Sequence, residues 1–424
     1  MSQDTPITYF EEMKVKPEVV EAWGDDSAQT SKLKKLIRPL LIAMALCGCY
    51  NFSDIMYIVH GHSCNAKNAL SSIYRFVYLV IILIMCIKYG VCLHYASSEN
   101  KLLNVLAFLW VLSLLSSFIV YLKTTSRQFG NLEKCFKTWE EDIVRESKEL
   151  GLRCPISVIK SRMKWAVTVA TVVIVTNVAG LTLQAEMYPE LASIHYFPLQ
   201  NSIGAKIGFS VLAVMASALW IIPQAYAMVL SRILTLLFEI FTEKLEQDIC
   251  SDRCTVPNNF QKLRLLHLKL SKLVSDLDKD LSWFYAADIG FGTGLGVFSL
   301  YQIMKTTMDT FTLILFMFWF LASLAIICFA STFAAFTHEA AHGPLDCIYN
   351  INVQDISVAK LAQLNLFLSR LTGTQIGFTT SGLLTITKEF ILTVSGCNNT
   401  ERFTVVLGIC YFVWHISSLN FRMP

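Results

Sequence analysis

The hydrophobic positions of this chain fall in long, nearly uncharged runs separated by polar connections, with no sustained alternation of apolar and polar residues. Spanning ~30 Å of hydrocarbon at ~1.5 Å per residue takes roughly 20 apolar residues, and in lipid only a helix or a closed barrel satisfies its own backbone. Six segments meet that need as helices: 72–95, 101–123, 164–186, 205 to about 236, 284–306 and 310–336. A seventh lies after Gly377. A weaker run from Ile37 to Val59 is interrupted by Asn51 and Asp54, and whether it crosses sets the side of every later connection.

Lysine and arginine arbitrate, because basic connections stay in the cytoplasm. Arg127, Lys134, Lys137, Arg145 and Lys148 follow the 101–123 helix, and Lys244, Lys262, Lys269, Lys272 and Lys279 follow the 205–236 helix. The alternating connections 96–100, 187–204 and 307–309 hold neither residue. The basic amino-terminal segment then lies inside only if 37–59 does not cross, which makes that run an interfacial or re-entrant helix. The expectation is an all-α polytopic membrane protein of seven transmembrane helices, with a cytoplasmic amino terminus, an extracellular carboxyl terminus and a cytoplasmic helical anchor region. Its parts are a cytoplasmic segment 1–71 and a six-helix bundle 72–336 with cytoplasmic connections 124–163 and 237–283. An anchor region 337–376 and a last helix with its tail, 377–424, complete it.

Within the cytoplasmic part the period shifts. Leu266, Leu270, Leu273, Leu277 and Leu281 repeat at three-four spacing with Lys269, Lys272, Asp276 and Lys279 opposite, so an amphipathic helix begins after Pro257, Asn258 and Asn259. Val358, Leu361, Leu364, Leu368 and Leu371 repeat the pattern. Each seam is read either as packing within one chain or as a contact between copies beneath the membrane.

Composition agrees with a lipid solvent: 54% of the 424 residues are hydrophobic and 16% charged, with mean hydropathy +0.50. A dispersed net charge of +3 sets nucleic acid aside. The thirteen cysteines lack the spacing of a disulfide framework and read mostly as free thiols. The first 35 residues are charged and hold no cleavable leader, so the first membrane helix is expected to drive insertion.

Some residues invite chemistry. His338, Glu339 and His342 have the spacing of two zinc ligands and a general base on one helix face, with Asp346 as an imaginable third ligand. Against a membrane-embedded zinc protease, Gly343 and Pro344 end the helix at once, and no other span except at Asp288 offers a partner. The other reading places both histidines in a last helical turn, complementing its dipole. Gly290, Gly292, Gly294 and Gly296 contain two pairs four apart, a close-packing pattern. Asp288 is either a functional intramembrane acid or one reaching interfacial water. Cys250 and Cys254 have no second pair, so no metal site is expected there; no cofactor and no enzyme activity are expected of the chain.

The tail carries a resemblance. LAQLNLFLSRL (361–371), then GFTTSGLLTITKEFILTVSG (377–396), together with Lys137-Thr138-Trp139-Glu140-Glu141-Asp142, resemble the arthropod gustatory receptors, the family shared with insect odorant receptors. That family ends in a threonine-tyrosine, five apolar residues and glutamine-phenylalanine. Two registers fit. Without a gap, Gly396 and Thr400 match and Glu401 replaces tyrosine. Shifted by four, Thr404 to Phe412 match, with Val405 for tyrosine and Tyr411 for glutamine. Thr400, Thr404, Tyr411 and Phe412 are therefore the pore-lining candidates. If the helix instead ends near Gly396, Asn398-Asn399-Thr400 is a glycosylation acceptor at Asn398.

The resemblance implies a gustatory-type receptor in the plasma membrane of sensory neurons. It implies a homo- or hetero-tetrameric ligand-gated cation channel embedded in lipid, opened by a small extracellular molecule that binds among the first six helices. Phe209, Phe298, Tyr301, Phe316 and Trp319, aromatic and in the outer halves of those spans, are the ligand-pocket candidates. The alternatives are the zinc protease and a seven-helix G-protein-coupled receptor. The latter would place the basic connections outside, and it lacks here both a DRY after the third span and an NPxxY in the seventh. A transporter with inverted repeats is a weaker third, since no internal repeat is found.

Overall fold

The computed structural model describes residues 32–51, 65–95, 101–126, 130, 132–152, 156–187, 202–251, 255–305, 309–354 and 356–391. Two short helices, α1 (Lys32–Leu36) and α2 (Arg38–Leu46), precede the long α3 (Asn65–His94) and α4 (Lys101–Thr124). A cluster of short helices follows, with α5 (Leu132–Thr138), a π turn (Trp139–Ile143) and α6 (Val144–Glu149). Then come α7 (Ile156–Met187), α8 (Ile203–Ser251), α9 (Phe260–Lys305) and α10 (Thr310–His342). The series ends with α11 (Pro344–Tyr349), α12 (Val358–Gly373) and a two-stranded hairpin, β1 (Thr379–Thr380) and β2 (Leu384–Thr385).

Among the described residues five helices are long and apolar enough to cross a membrane: Ala69–His94, Lys101–Thr124, Ile156–Met187, Ile203–Ser251 and Thr310–Tyr349. The expected span 284–306 is helical through Lys305 as the outer part of α9. It falls short on composition because Asp288, Ser299, Gln302 and four glycines dilute its apolar residues. The seventh span lies almost wholly outside the described residues, and only its first turn, 388–391, is described. Lipid is legible on α3, where Leu70, Ile73, Val77, Val80, Ile84, Ile87 and Val91 form an exposed stripe at three-four spacing. Tyr78, Ile82, Met85 and Tyr89 on its other face are buried. An apolar stripe on the outside is unfavourable in water and expected against hydrocarbon.

The weak run at 37–59 does not cross within its described part. Pro39 sits in the first turn of α2, where its missing N–H costs no bond. Nine residues rise only about 14 Å. Gly48 closes the helix at φ +72°, and a Cβ there would meet the Phe118 ring at 3.0 Å, so both backbone and packing need glycine. The apolar face of α2 is buried within the protein, with Leu40, Leu41, Met44 and Ala45 at 1% exposure or less.

The connections 124–163 and 237–283 are largely helical. At ~1.5 Å per residue the 49 residues of α8 and 46 of α9 exceed the thickness of a bilayer core and continue beyond it. The leucine seam of α9, from Leu263 to Leu281, is buried throughout, facing Phe238, Phe241 and the α5–α6 cluster. Packing within one chain therefore accounts for it. Trp139 and Ile143 turn inward from the π turn, while Lys269 of α9 pairs with Glu146 and, at 3.7 Å, with Asp142. On α12 only part of the seam is covered: Leu364 and Leu371 are buried, whereas Val358 and Leu361 are exposed.

Candidate functional site

Between α3, α4, α7, α8, α9 and α10 lies a cavity of about 100 Å³. Its walls are mostly aromatic and aliphatic. Tyr89 comes from α3, Trp110 from α4, Phe209 and Trp220 from α8, Leu295 from α9 and Trp319 from α10. Trp110 and Trp220 meet edge to face with ring centroids 6.5 Å apart. Lys88, also on the wall, holds its ammonium 5.2 Å from the centre of the Tyr89 ring.

A buried polar tie fixes the frame. Asn177 of α7 donates from Nδ2 to Ser217 Oγ of α8 at 2.8 Å and accepts at Oδ1 from the Trp319 indole N–H of α10 at 2.9 Å. One amide thus joins three helices and sets the plane of Trp319 on the wall. Two turns further along α7, on the same face, Gln184 also borders the cavity. It is fully buried, and neither its Nε2 nor its Oε1 has a hydrogen-bond partner among the described residues.

Of the five expected pocket aromatics, Phe209 and Trp319 line the cavity. Phe316 is buried one layer behind, edge to face with Trp319 at 5.2 Å. Phe298 and Tyr301 are exposed on α9, because Leu295 and Ser299 define its inward face and ~100° per residue turns their neighbours outward. Tyr89, Trp110, Trp220 and Gln184 are wall residues that the sequence reading did not single out. The signal available for Gln184 was its isolation as an amide near the end of an apolar run. Thr400, Thr404, Tyr411, Phe412 and Asn398 lie outside the described residues.

Below the cavity the bundle is tied by further buried groups. Tyr121 donates to the Pro223 carbonyl at 3.0 Å, where the proline interrupts the ladder of α8. Gln224 Nε2 donates to Asp288, which is 6% exposed and so does not reach interfacial water. Further along α9, away from the cavity, His267 is fully buried among Phe238, Phe241 and Phe367, and bonds the Ala341 carbonyl at 3.0 Å. Burial lowers its pKa to about 4, so the ring is neutral at ordinary pH.

The histidine pair of α10 is a strap for the chain that follows α12. His338 Nδ1–H donates to the Ile376 carbonyl at 3.0 Å, and the Ile376 N–H donates to His342 Nε2 at 3.4 Å. Glu339 pairs with Lys388 at 2.5 Å. Each histidine thereby spends one ring nitrogen on the backbone of Ile376 and Glu339 is paired with Lys388, and no group of three His, Cys, Asp or Glu able to hold a metal occurs among the described residues.

Beyond the strap, Phe378 is fully buried against Tyr285 and the hairpin turns at Ser381 and Gly382, with φ of 54° and 73°. Two successive positive φ values make the primed turn whose twist suits paired strands. Asp278 of α9 clasps β1, accepting from Thr379 N–H at 2.6 Å and Thr379 Oγ–H at 2.8 Å. Ser381 N–H donates to the Ser282 carbonyl at 3.0 Å. Thr387 then caps the next helical turn, its Oγ accepting from Phe390 N–H at 3.1 Å.

Comparison with known proteins agrees with this architecture. No curated protein sequence matches the chain. Among solved structures it is similar to the insect olfactory receptor OR5 from Machilis hrabei in complex with eugenol, with TM-score 0.65 and 13% identity over 90% of this chain and 98% of that one. A second structure of that receptor gives TM-score 0.61 and 13% identity over 91% and 98%. At that identity the likeness is one of fold. The family model described as 7tm Chemosensory receptor matches residues 37–400. With its membrane-capable helices the chain is a multi-pass receptor of the plasma membrane and not an enzyme. By that match, which runs from α2 through the hairpin and beyond, it belongs to the 7tm chemosensory receptor family.

Proposed function

We propose that this protein is a gustatory-type receptor acting as a ligand-gated cation channel, opened by a small extracellular molecule that enters the six-helix cavity. The cavity carries the reading: six different helices line it, four of them with aromatic side chains, so a ligand that fills it contacts the whole bundle at once. That OR5 from Machilis hrabei has been solved in complex with eugenol supports a small organic ligand for this fold. Four copies, alike or mixed, surround a pore to which each gives the helix beginning near Lys388, with Thr400, Thr404, Tyr411 and Phe412 along the path. The uncovered part of the α12 seam, at Val358 and Leu361, supports a contact between copies beneath the membrane.

The amino terminus is cytoplasmic and the carboxyl terminus extracellular. Asn398 is glycosylated only in the register where the last helix ends near Gly396. Opening is a population shift: the ligand binds the open arrangement more tightly and favours it by that difference. No residue performs covalent chemistry and no cofactor takes part. The test is current from heterologous cells exposed to small organic tastants with G-protein signalling blocked. A cation-selective current that survives the block is expected, and one that disappears with the block refutes the channel.

A further inference from the structure

Asn177 and Gln184 stand seven residues apart on one face of α7 and both border the cavity. Their amides have opposite fates. Asn177 uses its donor and its acceptor on the frame, through Ser217 and Trp319. Gln184 is 0% exposed, and both Nε2 and Oε1 are shielded and without a partner among the described residues. An amide left so in an apolar setting is costly, and folded proteins satisfy nearly all such groups. One that borders a cavity has its partner supplied by whatever fills that cavity.

The chemistry of the missing partner follows from what an amide offers. Nε2–H needs an acceptor and Oε1 needs a donor, side by side. A hydroxyl supplies both from one oxygen. An ether or ketone oxygen only accepts and leaves Oε1 bare, and a carboxylate sets its charge against Oε1. Apart from Lys88, Ser299 and Ser323, the remaining wall, with Tyr89, Trp110, Phe209, Trp220 and Trp319, suits an apolar body. We propose that the cavity selects a small, neutral, largely apolar alcohol whose single hydroxyl accepts from Gln184 Nε2 and donates to Gln184 Oε1, making Gln184 the specificity-determining residue. This rests on the cavity being the ligand site.

The test needs no current. Three of the eight tryptophans, Trp110, Trp220 and Trp319, line the cavity, so binding to the purified full-length protein is read by tryptophan fluorescence and by the melting temperature. The probes are matched trios on hexyl, cyclohexylethyl and phenethyl skeletons: the alcohol, its methyl ether, and the hydrocarbon with methyl in place of hydroxyl. In the unaltered protein the alcohol of at least one trio is expected to bind ~10-fold or more tighter than its hydrocarbon. In Gln184→Leu that preference collapses, and Gln184→Met, which keeps the unbranched shape, serves if leucine crowds the wall. Equal binding of alcohol and hydrocarbon, as bound water satisfying Gln184 would give, overturns the proposal and leaves the cavity reading standing. A preference that survives both substitutions does the same. A trio set that changes neither fluorescence nor melting overturns both.

Discussion

Replacing Asp278 by alanine is expected to undock the hairpin that leads into the last helix. The carboxylate receives two bonds from Thr379, at 2.6 and 2.8 Å, and is half-buried. Burial pushes its carboxyl above the usual range and the two bonds pull it back. A hydrogen bond to a charged group is worth about 1.5–3 kcal/mol, and partial exposure argues for the low end. Two bonds at that end amount to about 3 kcal/mol, or ~150-fold in the opening equilibrium at about 1.36 kcal/mol per decade. Phe378, the Ser381–Ser282 bond and the Ile376 strap remain, so the segment loosens without the protein unfolding. Hydrogen exchange by mass spectrometry in nanodiscs reads this directly. Exchange over 378–386 is expected to accelerate ~100-fold in Asp278→Ala, while the outer part of α9 keeps its protection. Asp278→Asn, which retains one carbonyl acceptor, falls between. Unchanged exchange at Thr379 and Ser381 in a folded Asp278→Ala protein would refute the reasoning.

Three further outcomes follow from the same geometry. Glu140 is raised to about 7, first by burial, with Lys34 opposing and Glu133 and Glu141 reinforcing; its folded pKa exceeds its unfolded one, so its contribution is complete below about 4.5 and lost as pH rises through about 7. The melting temperature of the unaltered protein should therefore fall between pH 5 and 8 more steeply than that of Glu140→Gln, and parallel curves would count against it. Asn177→Leu strands the Trp319 indole N–H and removes two buried bonds, a loss of about 2–4 kcal/mol, measurable as a lower melting temperature with a shifted tryptophan emission. In Gly377→Ala the new Cβ meets His338 Cβ at 3.1 Å and Thr385 Cγ2 at 3.2 Å, so crowding of about 1–3 kcal/mol should speed exchange at Ile376, and an unaffected Ile376 amide would show that the strap yields freely.

How much of this was legible in the sequence depends on the kind of signal. Runs of apolar residues locate helices, and 101–123 and 310–336 emerge nearly as read. Their lengths were less legible, because α8 and α9 continue as helices into polar surroundings where no apolar run marks them. The α9 leucines were legible as a seam, yet periodicity names a face and not its partner. The same limit governs the cavity. Depth along a span places Phe209, Phe298, Tyr301, Phe316 and Trp319 alike, but only helix rotation separates Trp319 on the wall from Tyr301 on the outside. In a helix apolar all round, rotation leaves no period to read. His338, Glu339 and His342 were legible as a spacing and misleading as chemistry, since a strap for Ile376 needs the same two rings on one face.

Helix α9 runs without interruption from the clasp to the cavity. Ser299 touches the cavity and Asp278 holds the hairpin, 21 residues apart on one rod, or about 32 Å at ~1.5 Å per residue. Such a rod acts as a lever. A tilt of about 5° imposed at its upper end carries Asp278 sideways by nearly ~3 Å, further than a hydrogen bond to Thr379 can stretch. Stiffness alone would therefore convert a small displacement near Leu295 into release of the segment that feeds the final helix.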